Sequence, residues 1–213
     1  MRKTTLAVIF SILFFGQLSA QDYNIGIKIG PSLSFTRTGT DGPDTSIEGD
    51  GTSIRMLFGA FVDIGFKENY YFHTGVNYAS KRTNIVASHP GIANGLTEQY
   101  SHEYLQIPLL LKLYTNEVSL DTKVYFNFGV IPEIRLSTSN DDVSDVLVEN
   151  FRDFDLAGNI GAGVEKNLGP STRIFGGLNF NIGFLNMVKD QNQSFDEFNV
   201  KSSLLALEFG VKF

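Results

Sequence analysis

The sequence predicts an all-β chain folded as an eight-stranded antiparallel transmembrane β-barrel. Three observations carry this. Apolar residues alternate with small or polar ones in eight segments; the connections between those segments alternate between short and long; and the charges fall almost entirely on the parity opposite to the apolar one. Alternation with a period of two marks a strand with one oily face.

The first twenty residues stand apart. Met1-Arg2-Lys3 is followed by the apolar stretch Leu6 to Gly16 and then by Leu18-Ser19-Ala20, the order of a secretory signal peptide. Cleavage is expected after Ala20, leaving residues 21–213 as one outer-membrane barrel domain. The apolar stretch falls short of the ~20 residues a spanning helix needs, and no later run reaches ~18, so any membrane crossing must use strands. Without Arg2 and Lys3 the chain has 15 basic and 23 acidic residues, a net charge of −8. That excludes the basic footprint of a nucleic-acid binder. With no cysteine, disulfides and thiolate metal or redox chemistry are excluded too. The 21 Gly, 19 Phe and only 6 Pro suit pleated, aromatic-rich strands.

The first strand, residues 23–35, puts Tyr23, Ile25, Ile27, Ile29, Leu33 and Phe35 on one face and Gly26, Lys28 and Gly30 on the other. The same alternation recurs at 54–67, 70–82, 103–114, 122–136, 153–166 and 172–187, and ends at 205–213. Each tilted strand needs ~9–11 residues to cross a bilayer. The connections after the second, fourth and sixth strands are short (68–69, 115–121 and 167–171), whereas those after the first, third, fifth and seventh are long and polar. Tight periplasmic turns and long extracellular loops are the pattern of outer-membrane barrels, and they set the chain's orientation.

With the apolar parity facing lipid, the inward set contains Lys28, Arg55, Asp63, Lys67, His73, Lys81, Lys112, Lys123, Glu133, Arg135, Asp155, Glu165, Arg173, Glu208 and Lys212. Glu103 is the exception, at the outer end of its strand, where a lipid-facing charge costs little. A soluble ligand-binding barrel would reverse this polarity. The predicted lumen network is Lys28, Arg55, Asp63, Lys112, Glu133, Arg135, Asp155, Glu165, Arg173 and Glu208, of mixed sign because buried charges need partners. Most strand glycines share the inward parity and make room for these long side chains. Tyr23, Phe66, Tyr70 and Phe213 form the expected periplasmic aromatic girdle. Bulges are expected at Pro31, Pro108 and Pro132, each of which removes a ladder donor. Leu57 and Phe61 on the inward face predict that part of the interior is apolar.

Several segments, Ile25-Gly26-Ile27-Lys28-Ile29-Gly30 with Ser34-Phe35, Tyr104-Leu105-Gln106-Ile107-Pro108-Leu109-Leu110-Leu111-Lys112, Gly161-Ala162-Gly163 and Phe209-Gly210-Val211-Lys212-Phe213, resemble the PorT-type outer-membrane β-barrel proteins of the Bacteroidetes. Where that family more often carries Glu, this chain has Gln106. The resemblance implies the barrel fold, the bacterial outer membrane as location, and insertion by the barrel-assembly machinery through an aromatic C-terminal signal, here Phe209, Val211 and Phe213. It also implies a link to protein secretion.

For chemistry, Ser101-His102-Glu103 with His89 is the one catalytic candidate, of the kind lipid A-modifying barrels use. Neighbouring strand residues point to opposite faces, however, so these three do not converge. The acidic loops 41–50, 141–155 and 190–197 offer oxygens for hard cations, but none has an EF-hand spacing, and they read as solvated loops. The sequence thus points to a non-enzymatic outer-membrane barrel, structural, binding or secretion-associated. A small porin-like channel is the alternative and a lipid A-modifying enzyme the less favoured third. The expected partners are outer-membrane lipids and lipopolysaccharide, the assembly machinery, and a protein bound at the extracellular loops; no cofactor, metal or nucleic acid is expected.

Overall fold

Strands account for every regular element of the described residues. The computed structural model describes residues 22–40, 46–49, 51–88, 96–140, 147–191 and 196–213; the expected signal peptide lies outside them. In chain order the strands are β1 (Tyr23–Thr40), β2 (Ser46–Gly49), β3 (Thr52–Lys67), β4 (Tyr70–Ser88), β5 (Leu96–Gln106), β6 (Leu109–Ser119), β7 (Thr122–Asn140), β8 (Val148–Phe151), β9 (Phe154–Asn167), β10 (Arg173–Gly183), β11 (Val188–Gln191) and β12 (Phe198–Lys212).

Antiparallel pairing runs β1, β3, β4, β5 with β6, β7, β9, β10 and β12, and β12 returns to β1. The ring therefore passes through eight strands, because β5 and β6 are two halves of one wall strand that keep a single register on both sides of Ile107-Pro108. Closure is direct. Ile27 faces Val211 across the seam, and Phe213 and Ile25 exchange backbone hydrogen bonds of 2.8 and 3.1 Å. A closed ring leaves no unpaired edge in the bilayer, where an unmade backbone hydrogen bond costs several kcal/mol, roughly.

The periplasmic turns are as tight as expected. Asn69 (φ 63°) and Asp121 (φ 56°) take left-handed conformations there, which Asn and Asp tolerate better than other residues with a Cβ. The second turn is tighter than predicted, because β6 runs on to Ser119 over two irregular pairings after Tyr114.

The proline expectation is corrected. At Pro31 the β1–β12 pairing skips two residues and resumes in the same register, and Pro132 faces Leu156 in an unbroken β7–β9 ladder. In the barrel wall the shifts fall instead between Gly65 and Lys67, between Glu103 and Tyr104, and after Tyr114. A proline removes one donor toward one neighbour, and the pairs on either side hold the register.

Five wall strands also reach further toward the extracellular side than the sequence pattern suggested, through residues 36–40, 83–88, 96–102, 137–140 and 198–204. In those extensions the polarity reverses. Ile85, Ala87, Tyr100, Phe198 and Val200 point inward and are buried, together with Leu147, Val148, Phe151, Met187 and Val188 from β8, β11 and their flanks. The β8–β11 ribbon folds across the extracellular end and completes an apolar core outside the membrane.

Candidate functional site

The lipid-facing parity holds in the membrane: Ile27 is 61% exposed and Phe58 49%, while their inward neighbour Asp63 is fully buried. Tyr23, Phe66, Tyr70 and Phe213 are all exposed at the periplasmic end. Gly158 and Gly176, outward-facing glycines within the membrane, act as slots, with the Phe184 ring lying over Gly158 and the Phe209 ring over Gly176.

Inside, the periplasmic half of the lumen is organised around Asp63 on β3. Its Oδ2 accepts from Lys112 Nζ at 3.1 Å and from Lys212 Nζ at 3.3 Å, and its Oδ1 lies 2.6 Å from His73 Nδ1. Lys212 also reaches Glu165 at 2.7 Å and donates to the Tyr114 hydroxyl, which itself donates to Glu165. Arg173 closes the mouth below, 3.7 Å from Glu165. The Lys112 ammonium sits among aromatic rings, 4.4 Å from the Tyr125 centroid and 5.4 Å from that of Phe175. Ring faces favour a cation most where water is excluded. Phe61, predicted as apolar lining, belongs to this ring cluster, and Leu57 packs on Ala79 and Leu204 above it.

At mid-height Lys28 pairs with Glu208 at 3.0 Å. Higher still, Lys81 lies 2.5 Å from Glu133, whose other oxygen accepts from Gln106 at 2.7 Å. The position where the resembling family carries Glu is therefore a donor to a carboxylate here. Lys81 and Lys212, outside the predicted network, are central to it. Parity identified them as inward, but sequence alone gives no pairing.

Three residues of the predicted network sit apart from these pairs. Asp155 is buried, with Oδ1 accepting from the Leu156 amide. Arg135 is at the extracellular rim, where it donates to Thr138, to the Arg152 and Phe151 carbonyls and, at 2.7 Å, to Asp153. It latches the chain around β8 to the end of β7. Arg55 leaves the lumen. Pairing between β3 and β4 stops at Leu57–Ala79, and the Arg55 guanidinium reaches Ser101 Oγ, on an outward-facing residue of β5, at 2.9 Å. The edge of β4 that β3 vacates is met by side chains of β1, with Ser34 bonded to both backbone groups of Arg82.

The catalytic candidate is not assembled. His102 is buried against Thr138 (2.9 Å) and the Phe151 ring, Ser101 accepts from Arg55, and Glu103 accepts from Ser137 at 2.9 Å. His89 lies outside the described residues, as do 41–45, 50, 141–146 and 192–195 of the acidic loops. Glu98, inward on β5, accepts from the Tyr100 hydroxyl and, at 3.0 Å, from the Leu147 amide, tying the extracellular ribbon to the wall. Glu98 is not legible in the sequence, because the alternation expected of this membrane strand begins only at residue 103.

Residues 15–210 match the model of the outer membrane protein beta-barrel domain family. Among solved structures the chain is similar to the outer membrane protein OprG from Pseudomonas aeruginosa, at 13% identity over 91% of this chain and 97% of that one, with a TM-score of 0.51. It is also similar to Neisserial surface protein A, at 11% identity over 91% and 98%, with a TM-score of 0.48. No functionally curated protein matches it. The family match covers most of the sequence and agrees with the closed ring and its lipid-facing belt: the chain belongs to the outer membrane protein beta-barrel domain family and resides in the bacterial outer membrane.

Proposed function

We propose that this protein is a non-enzymatic outer-membrane barrel with a closed lumen, acting through what its extracellular strands and loops hold, as a binding or secretion-associated subunit of the PorT type. The observation that carries this reading is the filled interior. Ion pairs block the lumen at the Asp63 and Glu133 levels, and the β8–β11 ribbon packs an apolar core over its outer end. Eight strands leave an interior that side chains can fill, and here they do so with charges that neutralise one another. Planar-bilayer recording of the purified barrel tests it. The reading expects no stable single-channel steps; large, long-lived steps overturn it. Cross-linking in intact cells then tests the partner, and reproducible capture of one outer-membrane or secreted protein is the expected result.

The alternative, a small solute channel, draws on one feature of mid-lumen. The Oδ1 atoms of Asn127, Asn159 and Asn179 are buried without a donor among the described residues, and buried acceptors of this kind hold ordered water. Solute uptake into liposomes with no partner present would favour it. The lipid A-modifying reading predicts turnover of labelled lipid A that falls with His102→Ala; the present reading predicts no turnover by either form.

A further inference from the structure

Between its ion pairs the lumen holds a layer of amides. Asn127 on β7 faces Gly161 on β9, and Gly161 faces Asn179 on β10. With no side chain between them, the two amides lean over the glycine. Their Oδ1 atoms stand 2.3 and 2.1 Å from the point that a Cβ on Gly161 would occupy. Two carbonyl oxygens thus converge on one spot. Asn159, the next inward residue above Gly161 on β9, donates from Nδ2 to Asn181 Oδ1 at 2.6 Å, which turns its own Oδ1 away from that partner. All three residues are more than nine-tenths buried. None of the three Oδ1 atoms meets a donor among the described residues, and neither does that of Asn77 on β4.

Buried oxygens that converge without a donor repel one another and have given up their water, and a positive group between them removes both penalties. The surroundings favour a monovalent ion over a divalent one. Among the described residues no three acidic or histidine side chains form a cage for a divalent metal, whereas neutral carbonyl oxygens can replace the hydration shell of an alkali-metal ion. The charge count agrees. Below the amides Lys28 pairs with Glu208, which lies diagonally beneath Asn179, because Gly177 faces Glu208 and Asn179 faces Ala206. Above them Lys81 pairs with Glu133, and Asp155 faces Glu133 in register. Two ammonium groups against three carboxylates leave a charge of −1 around the amide layer. Lys112 and Lys212, lower down, are held by Asp63 and Glu165, and Arg135 at the rim by Asp153. A water molecule would satisfy the oxygens and leave that charge standing.

We propose that Asn127, Asn159 and Asn179 form a binding site for one dehydrated alkali-metal cation, held by their Oδ1 atoms inside the lumen. The site does not depend on whether the lumen conducts, so single-channel steps would bear on the closed-lumen reading only.

The test uses the full barrel, refolded and crystallised in rubidium chloride. One anomalous peak is expected over Gly161, in contact with Asn127 and Asn179. In solution, the midpoint of heat-modifiable migration should be about 5 °C higher in potassium or sodium chloride than in N-methylglucamine chloride of equal ionic strength. The double variant Asn127→Leu/Asn179→Leu should abolish that difference. Asn127→Asp, which keeps the oxygen and adds a charge, should widen it, an effect that altered packing would not produce. Should the double variant fail to fold, diffraction and the Asp variant decide. Equal midpoints of the unsubstituted barrel in all three salts overturn the proposal, as does water alone, or a direct bond between the Asn127 and Asn179 amides, in place of the anomalous peak.

Discussion

Asp63 shows what a single residue does in this barrel. It is fully buried and is met by Lys112, Lys212 and His73, so its charge is tolerated only because its neighbours supply what water would. Removing one partner of a buried ion pair costs about 3–5 kcal/mol. Asp63→Asn, which leaves two ammonium groups around an amide, should therefore destabilise the barrel by about that amount in urea unfolding from lipid vesicles. The glycines make the complementary point through space. A Cβ on Gly30 would stand 1.9 Å from the Leu207 carbonyl oxygen, which is backbone and cannot yield, whereas one on Gly169 meets nothing within 4 Å. Gly30→Ala should lose about 1–3 kcal/mol in the same assay, as overpacked sites do, and Gly169→Ala should stay within about 0.5 kcal/mol, as open surface sites do. At this scale parity told which side of the wall a residue occupies, because adjacent side chains alternate. It did not tell which charge meets which, since Lys81 with Glu133 and Lys212 with Asp63 join strands far apart in sequence. Arg55 escaped even the parity rule, because β3 parts from β4 just below it.

Among the elements, β12 and the β8–β11 ribbon have separable roles. β12 and the residue that follows it carry Phe209, Val211 and Phe213 on the lipid face, and β12 closes the ring on β1. As the proposed assembly signal, these residues should be needed for insertion and not for export. Deleting Phe213 is expected to leave protein in the periplasm and to reduce the heat-modifiable form in outer-membrane fractions. The ribbon is held from outside the membrane, by Arg135 and by Glu98. Arg135→Ala should open residues 147–153 to limited proteolysis while the barrel keeps its heat-modifiable migration, because the latch touches no wall ladder below Arg135. The membrane strands were legible because their alternation is clean. The extensions were not, and the reason is physical: above the membrane water lies outside and the core inside, so the apolar parity inverts. On β4 it moves from even positions such as Phe72 and Val76 to the odd Ile85 and Ala87, and on β12 from Leu207 and Phe209 to Phe198 and Val200. A change of phase inside one strand is the signal that would have located this boundary from sequence.

The whole molecule is a wall with lipid on one side and a charge-filled interior on the other. β7 crosses the full thickness and can report on both. With nitroxide labels placed singly from Val124 to Leu136 on the reconstituted barrel, relaxation by oxygen and by a water-soluble nickel complex gives the environment of each position. A period of two is expected, with even positions open to oxygen and shielded from nickel, and the odd positions Tyr125 to Glu133 shielded from both. Nickel access along the odd positions would mean an open aqueous lumen, and oxygen access there would place the charges in lipid; either result contradicts the account.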